Sequence, residues 1–212
     1  MSASDLLSLI YFILSLVIVV TIHEFSHAWM AQKLGDPTAK IAGRLTLNPV
    51  AHLDLVGTIM LFLLHIGWGK PVPVNPHYFK NPKRDEALTA LAGPVSSLIL
   101  AFLLTLPIKY LALVMPQPLF DFLSTLLDTA LVLFIFNMLP FPPLDGSKIV
   151  GIFIPKRFQH FYRNYLQNGM IYFVIFLLFD EFVLAQTFNF SILQYVIGTV
   201  FTFLKTILFL GT

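Results

Sequence analysis

Residues 6–34 read LLSLIYFILSLVIVVTIHEFSHAWMAQKL, an apolar run broken once, by His23-Glu24-Phe25-Ser26-His27. Outside that break the run has the length and character of a membrane-crossing helix. Two imidazoles and a carboxylate cost several kcal/mol to bury in hydrocarbon unless something compensates them. On a helix, positions i and i+4 share one face about 5–6 Å apart. Two histidines so placed can ligate one Zn²⁺, and the intervening Glu can activate a metal-bound water. The stretch therefore points to zinc chemistry carried out inside the bilayer.

The rest of the chain agrees with a membrane setting. Of its 212 residues 57% are hydrophobic and 11% charged, with 22 Phe, and the mean hydropathy is +0.82. A soluble domain usually carries about 25% charged residues. The length suffices for about five or six spans with short loops, as a single domain over residues 1–212. With no cysteine, zinc must rely on His and carboxylate. The net charge of +2 says little by itself, and no nucleic-acid partner is expected. The first apolar stretch has no basic residues before it and is too long for a signal peptide, so it is expected to be retained.

Apolar stretches occupy 6–34, 53–66, 87–114, 119–139, 170–179 with its flanks, and 192–210. The second is short for a span and suits a re-entrant or tilted helix. With that assignment Lys33, Lys40, Arg44, Lys70, Lys80, Lys83, Arg84, Lys148, Lys156, Arg157, Arg163 and Lys205 fall on the cytoplasmic side and only Lys109 outside, as the positive-inside rule favours. The expected fold is an all-α polytopic membrane protein with about five spans plus one short helix. Its N-terminus is out and its C-terminus in, and Asp180 and Glu181 lie in an outside loop. His23 and His27 then sit roughly 10–17 Å from the cytoplasmic end of the first helix.

Catalytic zinc sites normally use three protein ligands plus water. Asp145 is the best third candidate. It follows Asn137-Met138-Leu139-Pro140-Phe141-Pro142-Pro143-Leu144, whose prolines must break the fourth helix. Broken backbone at membrane depth is tolerated where it lines a cavity. Asp145 either ligates metal or caps the next helix.

These motifs together resemble the site-2 protease family of intramembrane zinc metalloproteases, in particular its small bacterial and archaeal members without PDZ or CBS domains. The resemblance extends to Gly43-Arg44-Leu45-Thr46-Leu47-Asn48-Pro49, His52-Leu53-Asp54, Gly67-Trp68-Gly69-Lys70-Pro71-Val72-Pro73-Val74-Asn75-Pro76 and Leu91-Ala92-Gly93-Pro94. It covers roughly residues 6–150, the expected catalytic core, leaving 165–212 as additional C-terminal helices. It implies His23, His27 and Asp145 as zinc ligands, Glu24 as general base, and the plasma membrane of a prokaryote. Small members often carry Asn where this chain has Ser97.

Asn137 is a candidate donor to the tetrahedral oxyanion, or a helix–helix hydrogen-bonding residue. His52 is a second donor, a neighbour that tunes the site, or an interfacial histidine. Ala92-Gly93-Pro94 with Ser96 and Ser97 reads as a close-packing face. Proteolysis also needs an extended substrate. Residues 44–48 alternate polar and apolar with period two, and residues 71–75 must be extended because Val72 and Asn75 precede prolines. The two segments are expected to form a small β-hairpin or sheet near the site, with an edge that holds substrate by strand addition. Candidate substrate contacts are Leu45, Leu47, Gly67, Trp68, Gly69, Val72, Val74 and Asn75.

Three readings compete. One is a zinc endoprotease acting on single-span membrane proteins or signal-peptide remnants. The second is a silent relative that binds membrane helices. The third is a metal transporter. Glu24 argues against the second, since a silent relative is expected to lose its base. Few ionisable residues on the other spans argue against the third. The sequence sets neither the substrate nor the oligomeric state.

Overall fold

A computed structural model describes residues 2–54, 57 and 69–210. Three long helices make its core: α1 (Ala3–Lys33), α2 (Pro82–Tyr110) and α3 (Gln117–Met138). They pack against one another around Val19, Ala101, Ile108, Leu126, Leu127, Ala130 and Leu131. Small residues at these contacts let the backbones approach closely, as suits helices with no hydrophobic drive to associate. Helix α1 opens with a capping box between Ser2 and Asp5, which satisfies two otherwise free backbone donors. It closes at Gly35, whose φ of +106° is easily reached only by glycine.

Four helices are long and apolar enough to cross a membrane: Ala3–Lys33, Pro82–Tyr110, Gln117–Met138 and Gly169–Phe188. The chain is thus a multi-pass membrane protein. Against the expectation of about five spans, four helices have the length to cross, and a fifth apolar helix, Ile192–Leu208, is shorter. The predicted re-entrant helix at 53–66 lies almost wholly outside the described residues, as do Gly67 and Trp68.

The expected β-hairpin is not there. Among the described residues the backbone pairs as in a sheet only at an isolated bridge between Leu53 and Gly69. The reason is visible in the side chains. The guanidinium of Arg44 donates to the carbonyls of Lys70 and Pro71, the acceptors a neighbouring strand would need. Pro71 and Pro73 offer no donors. Residues 70–74 are held beside the loop after α1 by a side chain, not by a ladder.

After α3 the chain turns through the proline-rich loop into α4 (Asp145–Val150) and α5 (Gln159–Gln167). Next comes α6 (Gly169–Leu178), continued by a wide turn (Phe179–Ala185) and a last turn (Gln186–Phe188). Helix α7 (Ile192–Leu208) follows. Two expectations fail here. Asp180 is buried, not in a loop; it accepts from Ser191 Oγ at 2.6 Å, Ile192 N at 2.7 Å and Leu193 N at 3.3 Å. A carboxylate there satisfies the free donors at the start of α7. Lys205 is expected on the side opposite Lys109, and the two ends lie together. Lys205 pairs with Asp128 of α3 at 2.6 Å, and Lys109 at the end of α2 donates to Leu210 O. The end of α7 therefore lies beside the end of α2.

Candidate metal centre

His23 and His27 project from one face of α1, one helical turn apart, onto α2. The proline-containing middle of α2 receives them. Pro94 lies inside that helix, where it removes a donor and loosens the preceding turn. In that turn Thr89 O accepts from His27 Nδ1 at 2.7 Å. One turn beyond the proline's neighbour Gly93, Ser97 Oγ lies 3.2 Å from His23 Nδ1 and donates to Gly93 O. His27 Nδ1 donates to a carbonyl, and with Ser97 Oγ donating to Gly93 O, His23 Nδ1 is placed to donate to Ser97. Neutral rings in that tautomer keep a bare lone pair on Nε2.

Those two lone pairs converge. His23 Nε2 and His27 Nε2 are 3.0 Å apart, and each is 3.1 Å from Asp145 Oδ2. All three residues are buried. Asp145 begins α4, where the chain folds back over the end of α3. A Cβ at the next residue, Gly146, would stand 2.3 Å from the carbonyls of Met138 and Leu139, so only glycine allows that return. The result is three acceptors facing one another with no donor among them, an arrangement that repels itself unless a proton or a cation intervenes. Three ligands of a tetrahedral Zn²⁺ at 2.0–2.1 Å stand roughly 3.3 Å apart, close to the edges of this triangle. Gly93 completes the cradle: a Cβ there would lie 2.3 Å from His27 Nε2 and 2.6 Å from His23 Nε2. The donor types, their spacing and the space kept open by Gly93 all fit Zn²⁺.

A cavity of about 130 Å³ adjoins the cluster, and Glu24, Glu86, Asn137 and Lys148 are among the residues that line it. Val72 and Val74 form part of its wall. Asn137 Nδ2 donates to Leu133 O of its own helix, which leaves one N–H and the amide oxygen for the cavity. A larger cavity of about 570 Å³ lies between α2, α3 and α7 around the Asp128–Lys205 pair. It holds no comparable cluster of ligating groups.

Of the other predicted contacts, Gly67 and Trp68 lie outside the described residues, and His52, Leu45, Leu47, Gly69 and Asn75 do not line the cavity. His52 is fully buried, with Nε2 2.7 Å from Thr46 O and Nδ1 3.4 Å from an Arg44 nitrogen. It supports the loop that carries Arg44. Burial pulls the Arg44 guanidinium below its usual value, and the Glu24 charge opposes that shift. Leu45 is half-buried and Leu47 exposed. Gly69 makes the bridge to Leu53. Asn75 N donates to buried Asp36 at 2.7 Å, so residues 70–75 are pinned at both ends, by Arg44 and by Asp36. Sequence reasoning missed Thr89, Glu86 and Lys148, and took Gly93 and Ser97 for packing. The available signal was their spacing: Glu86, Thr89, Ala90, Gly93 and Ser97 fall on one helical face.

The sequence profile of peptidase family M50 matches residues 11–115 and 108–180. The chain is similar to YwhC of Bacillus subtilis, assigned as a zinc metalloprotease, with 42% identity over 172 residues and 78% of both chains covered. It is 37% identical to Rip2 of Mycobacterium tuberculosis, also assigned as a zinc metalloprotease, over 61% of this chain and 52% of that one. A zinc metalloprotease of Methanocaldococcus jannaschii is 29% identical over 71% of this chain and 36% of its own length. No solved structure matches significantly.

Proposed function

Since the chain belongs to peptidase family M50 and is a site-2-type zinc metalloendopeptidase of the membrane, we propose that His23, His27 and Asp145 hold its zinc and that Glu24 is the general base. We propose further that it cuts in or next to the membrane-spanning segments of single-span proteins or signal-peptide remnants, acting as one domain. The observation that carries this reading is the donor-free triangle of two Nε2 atoms and one carboxylate oxygen, with Glu24 on the adjoining cavity.

Zinc held by His23, His27 and Asp145 would supply a water of lowered pKa and a Lewis acid for the scissile carbonyl. Glu24 takes the proton of the attacking water and returns it to the leaving amine. The free N–H of Asn137 donates to the developing oxyanion. Thr89 and Ser97 fix both rings in the tautomer that leaves Nε2 unprotonated. Val72 and Val74 hold the substrate extended. Among the described residues their backbone N–H and C=O groups make no hydrogen bond within the protein, so a substrate strand can pair with them. Opening a membrane helix costs several kcal/mol for each unsatisfied backbone group, and this pairing offsets part of it. The basic residues at the α2 N-terminus and the 148–163 region support a site facing the cytoplasm of a prokaryote.

The test is cleavage of a panel of single-span substrates in liposomes. Glu24→Gln should keep its zinc and lose activity by about 10²–10⁴-fold; turnover near that of the intact protein would sink the mechanism. Val72→Pro removes one free donor of the pairing edge. It should slow cleavage without releasing zinc, and a helix breaker placed in the substrate should recover part of the rate. If neither change alters the rate, residues 71–75 are only a structural loop.

A further inference from the structure

Residues 146–179 contain Lys148, Lys156, Arg157 and Arg163 and no Asp or Glu. Among the described residues Lys156, Arg157 and Arg163 form no ion pair. Three aromatic side chains stand out among them: Phe153 is 79% exposed, Phe158 50% and Phe161 75%. Arg157 lies over the Phe158 ring at 4.7 Å. Helix α5 turns Tyr162, Tyr165 and Leu166 inward and Phe161 and Arg163 outward. Only Asn168 separates it from α6, which opens the apolar span Gly169–Phe188. A helix joined so closely to a span lies at the membrane surface. Lys83 Nζ donates to Ile154 O, which ties the region to the start of α2 and its own basic residues, Lys80 and Arg84.

The inner face of α5 grips the loop that carries Asp145. Tyr165 Oη donates to Pro140 O at 2.8 Å and Tyr162 Oη to Ser147 O at 2.7 Å, one phenol at each end of that loop. Gly151 and Gly169 allow the fit: a Cβ on Gly151 would stand 2.4 Å from Tyr162 Oη, and one on Gly169 2.0 Å from Pro142 Cβ. Burial pushes the Tyr162 phenol up to about 12, with the Glu86 charge adding to the shift, so it stays a donor at any physiological pH.

We propose that the outer face of α5 and the segment before it dock on anionic lipid headgroups, and that this docking steadies the Asp145 loop through Tyr162 and Tyr165. Lys and Arg near an anionic surface are drawn to its phosphates, Arg by bidentate hydrogen bonds. Aromatic rings beside them suit the headgroup boundary. The uncompensated positive charge, and the direct run of chain into a span, favour the bilayer as the occupant. Metal retention then depends on lipid composition; this rests on Asp145 being a zinc ligand, as proposed above.

The test uses the zinc-loaded full chain in vesicles of phosphatidylcholine alone, or with one lipid in three replaced by phosphatidylglycerol. The readout is the rate at which a chelator strips the metal. The intact protein should lose zinc about fivefold more slowly in the anionic vesicles, roughly the factor one Lys or Arg gains near such a surface. Salt should erode that difference, and inorganic phosphate added to neutral vesicles should not reproduce it. The exposed-site variant Lys156→Gln/Arg157→Gln/Arg163→Gln should behave in anionic vesicles as the intact protein does in neutral ones. Tyr162→Phe/Tyr165→Phe should lose the lipid dependence with every basic residue in place. Equal stripping rates in the two vesicles, or full lipid dependence in the Gln variant, would overturn the proposal. Failure to hold zinc in either lipid would instead overturn the ligand assignment, and the lipid coupling with it.

Discussion

Asp145 and Asp180 are both buried carboxylates in an apolar chain, and their surroundings are opposite. Asp180 is met by one hydroxyl and two backbone N–H groups. Asp145 is met by two imidazole nitrogens whose protons are committed elsewhere, to Thr89 and Ser97. The first closes its hydrogen bonds inside the protein and needs nothing more. The second is left with acceptors facing acceptors, an arrangement that only a cation or a proton relieves. Burial alone therefore does not mark a functional carboxylate in this chain. What marks it is a shortage of donors around it.

Substitution can break that contrast. Asp145→Asn should reduce bound zinc from about one per chain to background and abolish hydrolysis, because a neutral amide replaces the anionic ligand. Metal analysis of the purified variant decides it; full occupancy would remove Asp145 from the ligand set. Gly93→Ala sharpens the comparison, since it changes no ligand and adds one methyl group where the imidazoles converge. It should also release most of the zinc, and thermal unfolding monitored with and without added zinc should show less stabilisation by metal than in the intact protein. Ordinary zinc content would mean that α1 and α2 can separate enough to admit a methyl group. The smallest effect belongs to Asp180→Asn. Losing one of its two acceptor oxygens among three donors should cost about 1–3 kcal/mol of stability, read from denaturation in detergent, with zinc content unchanged. Zinc loss there would erase the distinction between the two carboxylates.

The clustering of His23, His27 and Asp145 was legible because its signals are local or strongly constrained. His23 and His27 are one turn apart on a helix, and Asp145 stands where prolines force a helix to end. Composition likewise gave away the membrane setting. The predicted hairpin failed for a reason no periodicity reveals: one long side chain, Arg44, took the carbonyls that a strand would have used. Asp180 read as a loop residue because its partners lie 11 to 13 positions away, across a turn. Lys205 read as one of the cytoplasmic basic residues because its partner Asp128 sits 77 positions away. Ser97 and Thr89 were hidden differently. They touch only the far nitrogens of the two histidines, and small residues on a helix face are usually there for packing.

The pairing of His23 with Asp145 joins positions 122 residues apart in a chain that has no cysteine. An ion held between them works as a cross-link as well as a reagent. It ties the first helix to the loop beyond α3 and closes most of the molecule into one ring. Closing a long loop removes more freedom from the unfolded chain than closing a short one, the same loop-length dependence that strengthens a wide-spaced disulfide. A metal held there would thus be the fastener of the bundle, and stripping it would loosen the architecture along with the chemistry.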